Sequence, residues 1–240
     1  MNFISKGLHE HSDPRWKAVD NYVRPHLQPE SNPLTGKLAA AARLADEAGL
    51  PDICVSSYQG QFLSLQCKLL NAKNVLEVGT LGGYSSIHMA SSSPDTKVLT
   101  LEIDPTHAEV AAKAIAGAGF ADQVEIVLGA AVDKLPGIKE DVLSGKRPKF
   151  DMVFIDADKP NNTVYYNYAV EICRRGALII VDNVVRRGAL ADDKVLESDG
   201  GVKGARAVIE RTGKDERVFS TLIQTVGEKS YDGMLLCVVN

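Results

Sequence analysis

The chain has 240 residues, 45% of them hydrophobic and 24% charged, and a formal net charge of −4. That composition suits one globular unit with a full core. It argues against a nucleic-acid partner, which would favour a strongly basic face, and no apolar run reaches the ~20 residues a membrane span needs. The N-terminal stretch MNFISKGLHEHSDPRW lacks the continuous apolar core of a secretory signal.

Residues 1–72 read as a helical region ahead of an α/β core at 73–240, the two forming one domain. Trp16, Val19, Val23 and Leu27 recur at helical spacing behind Pro14, with Trp16 expected to pack in the core or between subunits. Pro25, Pro29 and Pro33 are expected to break the helical pattern beyond that point. Lys37–Ala48 reads as an alanine-rich helix closed by Gly49-Leu50-Pro51, and Gln61–Leu70 as a further helix capped by Ser56 or Ser57. His9, His11 and His26 have no ligand-like spacing and read as surface residues. Cys54, Cys67, Cys173 and Cys237 form no C-x-x-C pair; they read as reduced, mostly buried thiols of a cytoplasmic protein.

The stretch NVLEVGTLGGYSS, residues 74–86, organises the rest. An apolar run with β-branched members suits a buried parallel strand, and Gly79, Gly82 and Gly83 lead at once into a helix at Tyr84–Ala90. Strand, glycine turn and helix make the nucleotide-binding unit of doubly wound folds. A dinucleotide fingerprint would need a glycine at position 81, which is leucine. Glu77, inside the strand end, would repel a pyrophosphate and attract an ammonium or sulfonium group. The next strand, Lys97–Glu102, ends in a carboxylate 19 positions past Gly83, where this fold holds ribose hydroxyls. Together these features predict an adenosine ligand without phosphates, and S-adenosylmethionine fits.

The alternation continues. Pro105–Gly119 reads as a helix, Gln123–Leu128 as a strand, and Ala131–Leu143 as a helix interrupted at Pro136-Gly137. Phe150–Asp156 reads as a buried strand, Val164–Arg174 as a helix and Ala177–Asp182 as another buried strand. Val184–Gly201 reads as a polar, lid-like loop before a helix at Val202–Arg211. Arg217–Thr225 and Tyr231–Val239 lie too close for a helical crossover, so they are expected to pair antiparallel.

Glu77, Glu102, Asp156 and Asp182 all end strands and are expected at one sheet edge, where ligands bind in open α/β folds. Crowded carboxylates call for a cation. Asp156 with Asp182-Asn183 offers hard oxygen ligands for Mg²⁺, with Mn²⁺ or Ca²⁺ able to substitute. Lys159, three positions after Asp156, would find its ammonium disfavoured beside a dication, which suits a general base. Asp158 reads as a turn or cap residue.

Taken together, LEVGTLGGYSS, LTLEIDP, VFIDADK and IIVDN, with YQGQFL at 58–63, resemble the cation-dependent O-methyltransferases of the caffeoyl-coenzyme-A and catechol type. The resemblance runs from about Ser56 to the C-terminus. It implies a class I methyltransferase fold: a mostly parallel seven-stranded sheet ending in an antiparallel hairpin, with extra N-terminal helices. It also implies that Glu77, Gly79 and Ser85 contact the methionine part of S-adenosylmethionine. Glu102 would hold the ribose, Ala131 would lie near the adenine, and Val55 would line the cofactor cleft. Asp156, Asp182 and Asn183 would bind the metal, Asp156 would also border the cofactor and serve catalysis, and Lys159 would be the base. The acceptor would be a vicinal aromatic diol, and the related enzymes are commonly homodimers.

Other readings remain open on the sequence alone. A nicotinamide-dependent dehydrogenase lacks its central glycine. A nucleic-acid N-methyltransferase would carry D/N-P-P-Y where this chain has Asp156-Ala157-Asp158-Lys159. A metal-independent O-methyltransferase would need another base, for which His88 and His107 are available. A non-enzymatic binding module would have no use for the base and ligand set.

Overall fold

Seven strands form one sheet in the order β3-β2-β1-β4-β5-β7-β6. The strands are β1 (Asn74–Val78), β2 (Lys97–Glu102), β3 (Val124–Leu128), β4 (Phe150–Ile155), β5 (Cys173–Asp182), β6 (Val218–Val226) and β7 (Tyr231–Val239). The first five are parallel; β7 inserts between β5 and β6 and is antiparallel to both. The strand order reverses between β1 and β4, which opens the crevice where such sheets bind ligands. β4 is buried at all six positions and β5 over its last six, as expected of strands covered on both faces.

The structure is a computed structural model describing residues 13–240; the expectations for His9 and His11 fall outside these. Ahead of the sheet stand α1 (Pro14–Leu27), α2 (Pro33–Glu47) and α3 (Ser57–Leu69). Ser56 caps α3 in a full capping box with Gln59, which satisfies two otherwise orphaned backbone donors. Helix α1 runs through Pro25 instead of breaking there. The proline falls in the last turn, so a single terminal hydrogen bond is lost. Pro33 starts α2 at its first position, where its missing N–H costs nothing. Trp16 is outside the core and packs against Tyr231, ring centroids 6.4 Å apart.

The core helices are α4 (Tyr84–Ala90), α5 (Pro105–Ala118), α6 (Ala131–Leu143), α7 (Asn162–Ile172), the single turn α8 (Asp193–Leu196) and α9 (Gly200–Thr212). Three sequence expectations are corrected. Helix α6 is not interrupted at Pro136, because Leu135, Ile138 and Val142 are buried and tertiary packing outweighs one lost hydrogen bond. Helix α7 stops at Ile172, and Cys173 and Arg174 join β5, where Arg174 Nε pairs with Asp151 Oδ1. The 184–201 stretch is ordered as a 3₁₀ segment (Arg186–Ala191) and α8, and α9 begins at Gly200. Asp199 offsets the poor helix propensity of Gly200-Gly201 by accepting from Gly201 N and Val202 N at 2.7 and 3.0 Å. All four cysteines are free, three buried and Cys54 half-buried.

Candidate functional site

Above the β1/β4 switch point lies a cleft of about 710 Å³ open to solvent. Of the residues expected there, Val55, Gly79, Ser85, Glu102, Ala131, Asp156, Lys159 and Asn183 line it. Glu77 and Asp182 stand directly behind its wall, at 0% and 1% exposure.

The glycine turn is held by specific contacts. Gly79 has φ +103°, and a Cβ there would stand 2.4 Å from the Asp156 carbonyl oxygen. The turn after β1 is thereby pressed on the end of β4, and both halves of the cleft meet at this point. Gly83 also has a positive φ, at +79°. Gly82 does not, so two of the three glycines are required by backbone conformation. Leu81, at φ +48°, takes the left-handed position that a dinucleotide motif gives to glycine.

Glu102 organises this turn. Its Oε2 accepts from Thr80 N and Leu81 N at 3.1 and 2.8 Å, and Oε1 accepts from Asp104 N at 2.9 Å. His107 Nδ1 lies 3.6 Å from the same carboxylate. The carboxylate therefore fixes the loop around the cleft as well as facing into it. The two backbone partners in the turn are legible only from the fold.

Glu77 is fully buried and accepts hydrogen bonds from Ser85 Oγ and Ser86 Oγ. Burial pushes its carboxyl up to about 7, against the opposing pull of those hydroxyls. A carboxyl raised in the folded state favours the protonated fold. Its contribution to stability is present below the ordinary value of 4.5 and is lost as pH rises through 7. In chelator, urea unfolding should show about 3 kcal/mol of lost stability over that interval, and Glu77→Gln should remove this slope. An identical slope in the variant would assign it to other groups.

At the other end, Asp156 follows β4 and its N–H donates to Val78 O at 2.8 Å. Lys159 Nζ donates to Asp156 Oδ1 at 2.7 Å, with the two side chains only 12% and 19% exposed. Asp182 ends β5; its carboxyl is pushed up by burial first and by the neighbouring Asp156 charge second. Asn183 N donates to Asp182 Oδ1 at 2.8 Å, and Asn183 itself sits at φ +57°, a conformation asparagine tolerates better than most residues. Among the described residues no cluster of three or more His, Cys, Asp or Glu is poised for a metal. A metal here must use two carboxylates and an amide. That set fits a hard dication: the oxygens are of the right kind, and two crowded carboxylates gain from added positive charge.

Several participants carried little sequence signal. Asp158 does not cap the following 3₁₀ turn; its carboxylate accepts from Tyr165 OH and Asn161 Nδ2. Gly204 of α9 presses on the base candidate: a Cβ there would lie 1.9 Å from the Lys159 carbonyl oxygen. A glycine inside an otherwise good helical stretch was the one available hint. His88 is 3% exposed, meets Tyr84 edge-on at 5.1 Å, and is pushed by burial down to about 4. His107 sits with Glu102, away from the Asp156–Lys159 pair in the chain and in its contacts. Neither histidine contacts the acidic end of the cleft.

The strand order, with β7 antiparallel between β5 and β6, and the cleft at the switch point define a class I methyltransferase fold. The O-methyltransferase family model matches residues 31–239, and the chain belongs to that family of enzymes. It is 45% identical over 237 residues to O-methyltransferase imqG of Aspergillus flavus, covering 99% of this chain and 95% of that one. A catechol O-methyltransferase of Niastella koreensis is 46% identical over 225 residues, covering 93% and 97%. The crystal structure of an O-methyltransferase from Bacillus cereus in complex with SAH aligns with a TM-score of 0.88 at 40% identity, covering 95% and 99%.

Proposed function

We propose that the protein is an S-adenosylmethionine- and divalent-metal-dependent O-methyltransferase acting on one hydroxyl of a vicinal aromatic diol. The observation that carries this reading is the meeting of two half-sites at the Gly79–Asp156 contact. One is a glycine turn with a ribose-type carboxylate; the other is an oxygen-donor set with a lysine beside it. A sulfonium cofactor would supply the methyl group. Gly79 and Ser85 would face its methionine part, with Glu77 behind fixing Ser85. Glu102 would take the ribose hydroxyls, Ala131 would lie near the adenine, and Val55 would close the wall.

Asp156, Asp182 and Asn183 would hold Mg²⁺, with Mn²⁺ or Ca²⁺ as substitutes, and the metal would supply Lewis acidity that lowers the cost of a phenolate. With Asp156 engaged in a metal shell, the Lys159 ammonium would lose its ion-pair partner beside added positive charge, would give up its own proton to solvent, and as a neutral amine would accept the hydroxyl proton. Holding nucleophile and methyl donor in one cleft then accounts for much of the rate, since effective molarity can be worth roughly 7–11 kcal/mol.

The reading is tested by comparing a catechol with its mono-hydroxy analogue. One isolated phenol offers a single oxygen and keeps a pKa near 10, so methylation should require the adjacent pair. Equal turnover of both would overturn it. For the cofactor, Glu102→Ala should weaken S-adenosylmethionine binding by about 1–3 kcal/mol, the scale of hydrogen bonds to a charged group. Calorimetry with unchanged affinity would remove Glu102 from the site.

The N-terminal helices form one domain with the core, supported by packing of α2 on α5. The protein forms a homodimer with residues 1–50 at or near the interface, supported by the exposed Val19, Tyr22 and Leu27 of α1. Light scattering at micromolar concentration with a mass near 25.8 kDa would exclude the dimer. No described helix is long and apolar enough to cross a membrane. Free thiols support a reducing compartment such as the cytoplasm, which cell fractionation would check.

A further inference from the structure

Arg186 follows Asn183 by three positions and lines the same cleft as Asp156, Asp158, Lys159 and Asn183. Its backbone is held in an unusual conformation. Arg186 and Arg187 have φ +54° and +57°, two successive non-glycine residues in the left-handed region, the kind of local strain that persists where surrounding contacts enforce it. The enforcing contact is Asp232, 8% exposed, whose Oδ1 accepts from Val185 N and Arg186 N, each at 3.0 Å, and from Gly233 N at 2.9 Å. The guanidinium is placed by Gly201. A Cβ at that position would stand 3.2 Å from Nη2 and 3.4 Å from Cζ, so the absence of a side chain makes the room.

The carboxylate next to the guanidinium across Gly201 is Asp199, whose Oδ1 would stand 3.0 Å from the same Cβ but is taken up by the backbone N–H groups of Gly201 and Val202. The Arg186 Nε is buried without a hydrogen-bond partner. Among the described residues no ion pair joins Arg186, whereas the cleft's own acids are engaged elsewhere, Asp156 by Lys159 and Asp158 by Tyr165 and Asn161. Keeping a half-buried cation unpaired is costly unless a ligand supplies the anion. A guanidinium is shaped for a planar carboxylate, which it binds through two parallel hydrogen bonds. The position beside Asn183 places that carboxylate on the acceptor's side of the cleft.

We infer that Arg186 is a specificity-determining residue that selects acceptors carrying a carboxylate in addition to the vicinal diol. This rests on the diol reading above and narrows it to one substrate class. The test uses 3,4-dihydroxybenzoate and the neutral 3,4-dihydroxybenzyl alcohol, with the wild type, Arg186→Gln, Arg186→Lys and, as a control, the exposed neighbour Arg187→Gln. The wild type should favour the acid in kcat/KM by about 10–100-fold, the scale of charge-assisted hydrogen bonds. Arg186→Gln should erase that preference, mainly through KM, while leaving the alcohol and S-adenosylmethionine affinity unchanged. Arg186→Lys should keep part of it, and Arg187→Gln all of it. Calorimetric binding of the acid gives a readout that needs no turnover. If neither compound is methylated yet the acid binds the wild type and not Arg186→Gln, the diol reading fails and the Arg186 assignment stands. No preference in the wild type, a preference retained in Arg186→Gln, or weakened S-adenosylmethionine binding in that variant would overturn it; the last outcome would hand Arg186 to the cofactor.

Discussion

Asp156→Ala is expected to abolish metal-dependent methyl transfer while leaving S-adenosylmethionine affinity essentially unchanged. The separation follows from the chain. Asp156 meets the glycine turn and the end of β1 through its main chain, where its carbonyl faces Gly79 and its N–H meets Val78 O. Its carboxylate points to Lys159 and influences Asp182. Truncation therefore spares the glycine turn and removes one of the three donor side chains. Loss of an outer-shell partner typically costs 10–100-fold in metal affinity or activity, and loss of a ligand should cost more. Asp156→Asn, which retains one oxygen, should fall between. In the wild type, a chelator should abolish turnover and Mg²⁺ or Mn²⁺ should restore it. Full activity in chelator would return the chemistry to a metal-independent route. That route is poorly served by this chain, because His88 is buried against Tyr84 and His107 lies with Glu102.

The difference between what is legible in the sequence and what is not has a physical pattern. Buried parallel strands write themselves as apolar runs, so FDMVFID and ALIIVD locate β4 and β5 and the acids that end them. The glycine turn announces itself because two of its residues must adopt positive φ. Backbone-mediated partners leave no such mark. Thr80 and Leu81 serve Glu102 through N–H groups that any residue would carry. Proline misleads at positions 25 and 136, because its local penalty is absorbed there by packing and chain position. The 184–201 segment resembles an open loop for a related reason. Its order comes from Asp232, 46 or more residues away in sequence, and from the Asp199 cap. The Asp232 contacts are long-range and have no short-range signature, and the end of the cleft at Asn183 and Arg186 depends on them. Glu77 reads as a cofactor contact from its place at the strand end, and its burial behind Ser85 becomes visible only with α4 in place.

Lys159→Ala is expected to lower kcat by 10²–10⁴, the usual contribution of a positioned general base, at saturating Mg²⁺ and acceptor. The structure offers a competing account: Lys159 Nζ sits 2.7 Å from Asp156 and lowers the cost of burying Asp182, so it could serve only as a counter-ion. The two accounts diverge once a dication is present. A counter-ion becomes dispensable when another positive charge takes over, so Lys159→Ala would then recover full kcat at saturating metal. A base does not become dispensable. Removing the ammonium also deepens the negative field at the donor oxygens, so metal affinity in Lys159→Ala should hold or rise while turnover falls. Lys159→Arg completes the test. It restores the positive charge, but a guanidinium cannot give up its proton in this range, so its kcat should stay low. All three chains keep the same main chain at position 159, where Gly204 of α9 fixes the backbone, and the loop should remain in place. Recovery of wild-type kcat by Lys159→Arg, or by metal saturation of Lys159→Ala, would remove the proton-transfer role and leave Lys159 as an electrostatic partner of Asp156.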